Sequence, residues 1–231
     1  MKSISCRVHE ISALTPFVYK VLLEPECAVE FEAGQYLNFV MAEDDKRPFS
    51  IASAPDAAYV ELQIGAFEAN SYAMQVIDRI KASDQVTVEI PLGNAQLRLD
   101  SERPILLLAG GTGFSYIKSM FEHLANTNTK RPVIIYWGAR EPSALYELEK
   151  TQQTIDKIAN ASFIPVVENA DSTWTGKVGL VHQVAMQDIM SFEPYDIYLA
   201  GRFEMVGAVR EDFINQGGYK EHMFADAFSF I

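Results

Sequence analysis

Four small residues, Gly110-Gly111-Thr112-Gly113, stand between a continuous apolar run and a segment with helical character. Glycines at such a place let the backbone turn sharply and let a ligand approach it closely. The N-terminus of the following helix offers free N–H groups and a positive dipole end to an anion. The hydroxyl of Thr112 can add one more donor. We therefore expect a pyrophosphate site here rather than a plain glycine turn.

This glycine loop fits neither of the two commonest phosphate-binding patterns. It lacks the Lys-Ser or Lys-Thr of a P-loop, and it is not Gly-x-Gly-x-x-Gly. The next strand ends at Trp137-Gly138-Ala139-Arg140, with no acid to bind a ribose 2′-hydroxyl. Arg140 could face the adenosine ribose or a 2′-phosphate, or it could be a solvated arginine paired with Glu141, and the residues favour neither alternative.

A second small-residue turn, Ala200-Gly201, also follows an apolar strand and precedes a helical segment. Alone it is weak evidence for a site. Two glycine turns at strand ends of one sheet could, however, border a single elongated ligand, because ligands of open α/β sheets bind beyond the carboxyl ends of the strands.

A different kind of chemistry is offered by Arg47-Pro48-Phe49-Ser50-Ile51. Pro48 belongs at a strand start or edge because it lacks an N–H donor. Arg47 has five donors in a fixed geometry, and Ser50 adds a small rotatable hydroxyl. Such a strand could hold a planar heteroaromatic ring, although these residues by themselves favour a plain edge strand with one exposed arginine.

The elements around these two candidate sites differ in pattern. The first hundred residues contain closely spaced β-rich runs, which predict an antiparallel β-barrel with one helix at residues 71–81. The predicted strands are 3–11, 17–23, 35–41, 48–52, 59–65 and 85–90.

After residue 103 continuous apolar runs alternate with helical segments, as in a parallel sheet with crossover helices. The predicted strands are 104–109, 132–137, 163–167 and 195–200, and the predicted helices are 114–125, 143–159, 180–190 and 203–216. We therefore expect a two-domain chain, with the barrel at residues 1–100 and the α/β domain at residues 103–231.

Composition limits the function classes that are compatible with this chain of 231 residues. A net charge of -12 disfavours nucleic acid as a partner. The absence of a secretory signal and of a long apolar run predicts a cytoplasmic protein without a membrane partner. The only two cysteines, Cys6 and Cys27, cannot form an iron–sulfur cluster, and the four histidines are scattered, so we expect no metal.

Together these motifs resemble the ferredoxin–NADP⁺ reductase superfamily, and within it the bacterial NAD(P)H:flavin oxidoreductases. The resemblance spans almost the whole chain in order. It is carried by Arg47-Pro48-Phe49-Ser50, Gly110 to Ser115, Tyr136 to Glu141, Ala200 to Met205 and the terminal Phe224-Ala225-Asp226-Ala227-Phe228-Ser229-Phe230-Ile231.

The resemblance implies hydride transfer from NADH or NADPH to a flavin, and it implies a role for each motif. Arg47 and Ser50 would contact the flavin, Ser50 near N5, while Pro48 and Phe49 would shape the ring pocket, with Ile51 beside them. Gly110, Gly111, Thr112 and Gly113 would hold the pyrophosphate, with Arg140, Ala200 and Gly201 completing the nucleotide site. Phe228 and Phe230 would cover or flank the flavin. Asp226 could touch the flavin edge, although an exposed carboxylate is the favoured interpretation.

Two departures from the superfamily pattern bear on how the flavin is held. Ala200 stands where many members have a cysteine, so no thiol assists there. Members with a firmly bound flavin use a Gly-x-x-Ser turn for its phosphate, whereas this chain has Gly65-Ala66-Phe67-Glu68-Ala69-Asn70-Ser71, with Glu68 where an anion would bind. The expected flavin is therefore a loosely bound substrate, whether FMN, FAD or riboflavin.

Reduced flavin that leaves the enzyme could serve a flavin-dependent monooxygenase, a luciferase or ferric iron. Two alternatives remain open at this point. One is an electron transferase with permanently bound FAD that serves a protein partner. The other is a nucleotide-binding regulator without turnover, which the presence of Arg47 and Ser50 disfavours.

Overall fold

A six-stranded antiparallel sheet forms the N-terminal half of the protein. The computed structural model describes residues 1–66 and 71–231. The elements of this half are β1 (Lys2–Thr15), β2 (Val18–Pro25), β3 (Tyr36–Val40), β4 (Lys46–Ser50), β5 (Val60–Gly65), α1 (Ser71–Lys81) and β6 (Gln85–Leu92). The strands have the order β4-β3-β6-β1-β2-β5. The backbone N–H of Ala52, just after β4, donates to the carbonyl of Glu61 in β5 at 2.7 Å and so joins the two edge strands. The predicted antiparallel barrel is thus confirmed.

A parallel six-stranded sheet forms the C-terminal half, which confirms the predicted parallel α/β architecture. Its strands are β7 (Ile105–Gly110), β8 (Val133–Ala139), β9 (Ala161–Val167), β10 (Lys177–Val178), β11 (Asp196–Ala200) and β12 (Met223–Phe224). They lie in the order β10-β9-β8-β7-β11-β12. Its helices are α2 (Phe114–Asn126), α3 (Leu148–Ile155), α4 (Val181–Asp188) and α5 (Phe203–Asn215).

The central strand β7 is apolar throughout because both of its faces are covered. Leu107 and Ala109 pack into the core beneath α2 and α3, whereas Leu106 and Leu108 pack into the core beneath α4 and α5. Side chains alternate between the faces of a strand, so a strand covered on both sides has no polar position. This explains why β7 was recognisable in the sequence as an uninterrupted apolar run.

The predicted helix at residues 143–159 is wrong in its extent. Residues Pro142–Ala144 form a 3₁₀ turn, and α3 runs only over Leu148–Ile155. Glu147 has a φ of 55°, in the left-handed region, where an α-helix cannot continue. The two-residue strands β10 and β12 were not predicted, because two residues are too few to show a periodic pattern.

The order of the parallel strands sets the place of the site. β7 lies between β8 and β11, so the chain leaves β7 toward one side and returns on the other. The chain after β7 leads into α2 on one face of the sheet and the chain after β11 leads into α5 on the other. A ligand site is expected at the carboxyl ends of these two strands. The split of the chain into residues 1–100 and 103–231 stays a prediction; the two sheets themselves are separated by residues 93–104.

Candidate active site

A cleft of about 1050 Å³ lies between the barrel and the carboxyl ends of the parallel strands. Pockets for small ligands usually measure about 300–1,000 Å³, so this cleft is at the upper end of that range. The structure brings together here ten of the residues singled out in the sequence: Pro48, Phe49, Ser50, Gly110, Gly111, Thr112, Gly113, Arg140, Ala200 and Gly201.

The glycine turn after β7 is shaped by its own backbone and by the neighbouring turn. Gly111 has a φ of 56°, and a Cβ added to it would meet no atom within 4 Å. A Cβ on Gly113 would lie 2.6 Å from the carbonyl carbon of Ala200, so the two strand-end turns pack directly against each other. Gly111 therefore opens the turn toward the cleft, and Gly113 allows the two turns to meet.

Met205 in the first turn of α5 lines the cleft, a role that the sequence analysis did not give it although it closes the motif Ala200 to Met205. Its sulfur would lie 2.5 Å from a Cβ on Gly110 and 2.8 Å from a Cβ on Gly201. Both glycines thus make room for this one thioether, which forms part of the cleft wall. The motif alone could not show this packing, since Gly110 is distant from Met205 in the chain.

Ser50 ends β4 at the barrel wall of the cleft. The strand is held by antiparallel pairing with β3, in which Ser50 lies opposite Tyr36 and Pro48 lies opposite Asn38. Pro48 is tolerated because β4 is at one edge of the sheet order. Within residues 1–66 and 71–231 no hydrogen bond engages the Ser50 hydroxyl, so it can donate to a ligand in the cleft.

Arg47 is not brought into the lining, although it lies in the same strand. Its Nε donates to Asp45 at 2.8 Å and its Nη2 to Gln75 at 2.7 Å, and Nη1 donates to the carbonyl of Tyr72. The guanidinium also lies 4.4 Å from the centre of the Tyr72 ring. The donors that the sequence suggested for a flavin are thus directed at Asp45 and α1, and it is Tyr72 that lines the cleft.

Three further residues with an expected flavin role lie outside the lining. Ile51 is fully buried in the barrel core because the strand direction turns it inward. Phe228 packs against the core beneath α5, with Arg210 over its ring at 5.4 Å. Phe230 is exposed and stacks on Phe203 with 5.5 Å between ring centroids. Phe203 itself lines the cleft.

Asp226 lines the cleft, contrary to the favoured interpretation of an exposed carboxylate. Desolvation by burial raises its pKa to about 6, and a hydrogen bond from the backbone of Asn94 opposes this rise. Its Oδ1 would lie 3.0 Å from a Cβ on Gly93, whose φ is 92°. The C-terminal segment therefore returns to the barrel and places a carboxyl group that is readily protonated beside the cleft.

The far end of the cleft lies beyond β8 and β9. Arg140 and Glu168, which follow these two strands, are both exposed in its lining. His182 on α4 is buried, and this desolvation lowers its pKa, although Asp212 at 3.4 Å acts in the opposite direction. One cation and one carboxylate at this end of the cleft suit a polar sugar.

Two other properties concern the described part of the chain as a whole. In residues 1–66 and 71–231 no group of three or more histidine, cysteine, aspartate or glutamate side chains is placed to hold a metal ion. None of the helices over the same residues is long and apolar enough to cross a membrane.

Comparisons with known proteins agree with this geometry. The oxidoreductase NAD-binding domain family matches residues 107–211. An NAD(P)H-flavin reductase of Vibrio harveyi is 48% identical over 99% of this chain and 100% of its own length. An NAD(P)H-flavin reductase of Aliivibrio fischeri is 43% identical over 99% of both chains.

The fold is also that of a solved ferredoxin reductase in carbazole 1,9a-dioxygenase, with a TM-score of 0.86 and 24% identity over 98% of this chain and 69% of that one. At this level of identity the likeness concerns the fold alone. The full-length matches to the two flavin reductases carry the assignment further, because they cover both the barrel and the α/β half. The chain therefore belongs to the NAD(P)H-flavin reductase family.

Proposed function

We propose that this protein transfers a hydride from C4 of NADH or NADPH to N5 of a flavin that binds as a substrate and leaves reduced. The observation that carries the proposal is one cleft with two different walls, Ser50 at the end of a barrel strand and two glycine turns at the ends of parallel strands. The two full-length relatives are named for NAD(P)H-dependent flavin reduction. The flavin supplies the redox chemistry, so the protein has to align the two rings and exclude water.

Each wall would then hold one ligand. The Ser50 hydroxyl would donate to the flavin near N5, while Pro48 and Phe49 would shape the ring pocket. The turn from Gly110 to Gly113 would present backbone N–H groups and the N-terminus of α2 to the pyrophosphate. Ala200-Gly201 would border the nicotinamide, and Arg140 the adenosine ribose or its 2′-phosphate. The flavin would thus lie on residues 1–100 and the nucleotide on residues 103–231.

The proposal that the flavin is loosely bound is supported by the pairing of Arg47. A guanidinium that could neutralise a flavin phosphate is instead paired with Asp45, and its hydrogen bond lowers the pKa of that carboxyl. The sequence supports it further, because the Gly-x-x-Ser pattern is missing and Glu68 stands in the corresponding stretch. Residues 67–70 lie outside the described residues, so this part of the argument rests on the sequence alone.

The decisive experiment is steady-state kinetics that cross riboflavin, FMN and FAD with NADH and NADPH. We expect riboflavin to be reduced at a rate comparable to FMN, since the phosphate contributes little. Contacts limited to the ring and the near ribityl chain should give micromolar rather than nanomolar affinity, a difference of ~4 kcal/mol. The purified protein should therefore be nearly colourless after desalting.

The opposite result has a clear meaning. A yellow protein that retains one FAD per chain through extensive dialysis would overturn the substrate role of the flavin. It would favour an electron transferase that passes electrons from bound FAD to a protein partner. A protein that neither holds flavin nor oxidises NADH in its presence would refute both enzymatic functions and leave a nucleotide-binding regulator.

The released reduced flavin would be consumed by a flavin-dependent monooxygenase, by a luciferase or by ferric iron. A coupled assay can test this part separately. This protein, NADH and FMN would be the only source of reduced flavin for a purified monooxygenase, and product formation should persist when a dialysis membrane separates the two proteins.

A further inference from the structure

Three side chains on one face of α2 bind backbone carbonyls of the barrel. The second and third follow the first by three and four residues, so they project from the same side of the helix. The three donor–acceptor pairs are Ser115 Oγ to Gln63 at 3.4 Å, Lys118 Nζ to Ala52 at 3.3 Å and Ser119 Oγ to Ser53 at 2.7 Å. We call these three side chains the α2 seam.

Lys118 is the charged centre of the α2 seam. Only 4% of its side chain is exposed, yet its ammonium group lies 3.1 Å from Glu61 Oε2 and 2.7 Å from Glu122 Oε1. With the carbonyl of Ala52 it thus has three oxygen acceptors for its three N–H donors. A buried ammonium group with all donors engaged is held in one position, because leaving any of them unpaired away from water is costly.

The hydrogen bonds continue from Lys118 toward the cleft. The other carboxylate oxygen of Glu61 accepts from Gln63 Nε2 at 2.9 Å, and the same nitrogen donates to Glu147 at 2.9 Å. Gln63 and Ser115 both line the cleft, whereas Lys118 does not. Glu61 and Gln63 are two residues apart in β5, so they lie on the same face of the strand. In the sequence this pattern is typical of a face exposed to solvent, yet both side chains are buried.

The segments joined by the α2 seam are the ones that would hold the two ligands. α2 begins directly after the turn Gly111–Gly113, so its position determines where that turn lies. Ala52 and Ser53 follow Ser50 by two and three residues, and Gln63 precedes the end of β5 at Gly65. A movement of α2 relative to these carbonyls would change the distance between the glycine turn and Ser50.

We propose that Lys118 is a positioning residue for hydride transfer, which acts through the α2 seam to set the spacing between the nicotinamide and the flavin ring. The inference rests on the proposed function, because it assumes that the two ligands occupy the two walls of the cleft. Hydride transfer requires reacting atoms at about 3–3.5 Å, and a misplacement of about 1 Å can cost ~10²-fold in rate. Binding of each ligand involves only one wall and is much less sensitive to this spacing.

The test is the variant Lys118→Met together with Lys118→Met/Glu61→Gln, in which the carboxylate left unpaired on β5 is also neutralised. We expect kcat for NADH-dependent FMN reduction to fall about 10-fold or more in both, while the KM for NADH and for FMN stays within about threefold. With NADH deuterated at C4 the isotope effect on kcat should be at least as large as in the wild type, because the hydride step has become slower.

Lys130→Met is the matched control, since it makes the same chemical change at an exposed lysine in the loop after α2, and its kinetics should equal those of the wild type.

A folded double variant with kcat within twofold of the wild type, or one in which only KM rises, would overturn the proposal. If neither Lys118 variant folds, Ser119→Ala decides, with an expected fall in kcat of about threefold; an unchanged kcat would contradict a positioning role. Lack of NADH oxidation by the wild type would instead refute the proposed function itself.

Discussion

The indole Nε1 of Trp137 donates a hydrogen bond to the carbonyl oxygen of Gly111 at 3.0 Å. Trp137 lies in β8, one strand away from the glycine turn, and its ring stacks on Phe114 at the start of α2 with 3.8 Å between centroids. The indole therefore stabilises the glycine turn in two ways, by its hydrogen bond to the Gly111 carbonyl and by stacking on Phe114, the first residue of α2. The conformation with positive φ at Gly111 is thus held by a side chain from the neighbouring strand.

Replacing Trp137 by Phe should raise the KM for NADH or NADPH about three- to tenfold with a smaller effect on kcat. The aromatic packing is largely kept, whereas the hydrogen bond, worth about 0.5–1.5 kcal/mol, is lost. Trp174→Phe is the matched control, because that indole also donates to a backbone carbonyl, that of Lys177, away from the cleft. Equal KM values in Trp137→Phe and the wild type would show that the turn needs no support from the indole.

Gly111→Val should raise the KM for NADH or NADPH steeply while FMN still binds to the barrel. A β-branched residue is strongly disfavoured at a φ of 56°, so the turn would have to rearrange. Flavin binding can be followed by fluorescence titration and nucleotide binding by kinetics. Gly207→Ala, a helical glycine where an added Cβ meets its nearest atom at 3.5 Å, provides the control. Loss of flavin affinity with retained nucleotide affinity would mean that the two walls are assigned the wrong way round.

Ser50→Ala should lower kcat by ~10–10²-fold and leave the KM for NADH nearly unchanged. Loss of one positioned donor at a developing charge costs up to ~10²–10³-fold, and the effect is smaller where the charge is weaker. Ser12→Ala removes another strand hydroxyl of the barrel, one that bonds Glu10 on the surface, and should have no effect on turnover. Unchanged turnover of Ser50→Ala with riboflavin, FMN and FAD would refute the role of this hydroxyl.

Asp226→Asn should make the protein more stable at neutral pH. Desolvation raises the pKa of Asp226 in the folded protein to about 6 from its usual value of 3.8. The folded state thus holds the proton more tightly than the unfolded state, and stability is lost as the pH rises from about 4 to about 6. Asparagine remains neutral, so its stabilising effect above pH 6 should reach about 1–3 kcal/mol.

Measurements of Asp226→Asn at low pH serve as the control. The stability difference from the wild type should shrink toward pH 4, where Asp226 is protonated in the folded protein. Urea unfolding at pH 4.5, 6 and 7.5 measures the difference directly. A stability difference between Asp226→Asn and the wild type that is the same at all three pH values would contradict the raised pKa.

Local sequence determined the longer strands, most of the helices and the positions of the two candidate sites. β7 and the turn Gly110 to Gly113 were recognisable because a strand covered on both faces must be apolar, and a tight turn that approaches a ligand needs glycine. β4 was recognisable from Pro48, which restricts a strand to an edge. These are properties of single residues and their immediate neighbours, so no knowledge of the packing was required.

Only the tertiary structure decided how the polar side chains are used. The sequence shows that Arg47 has five donors, but its pairing with Asp45 and α1 depends on how the helix packs against the strand. Likewise Lys118 and Glu61 look like surface charges until the two halves of the chain meet and bury them together. The direction and burial of a charged side chain depend on partners far away in the sequence, and the free energy of desolvating it is settled only when those partners are in place.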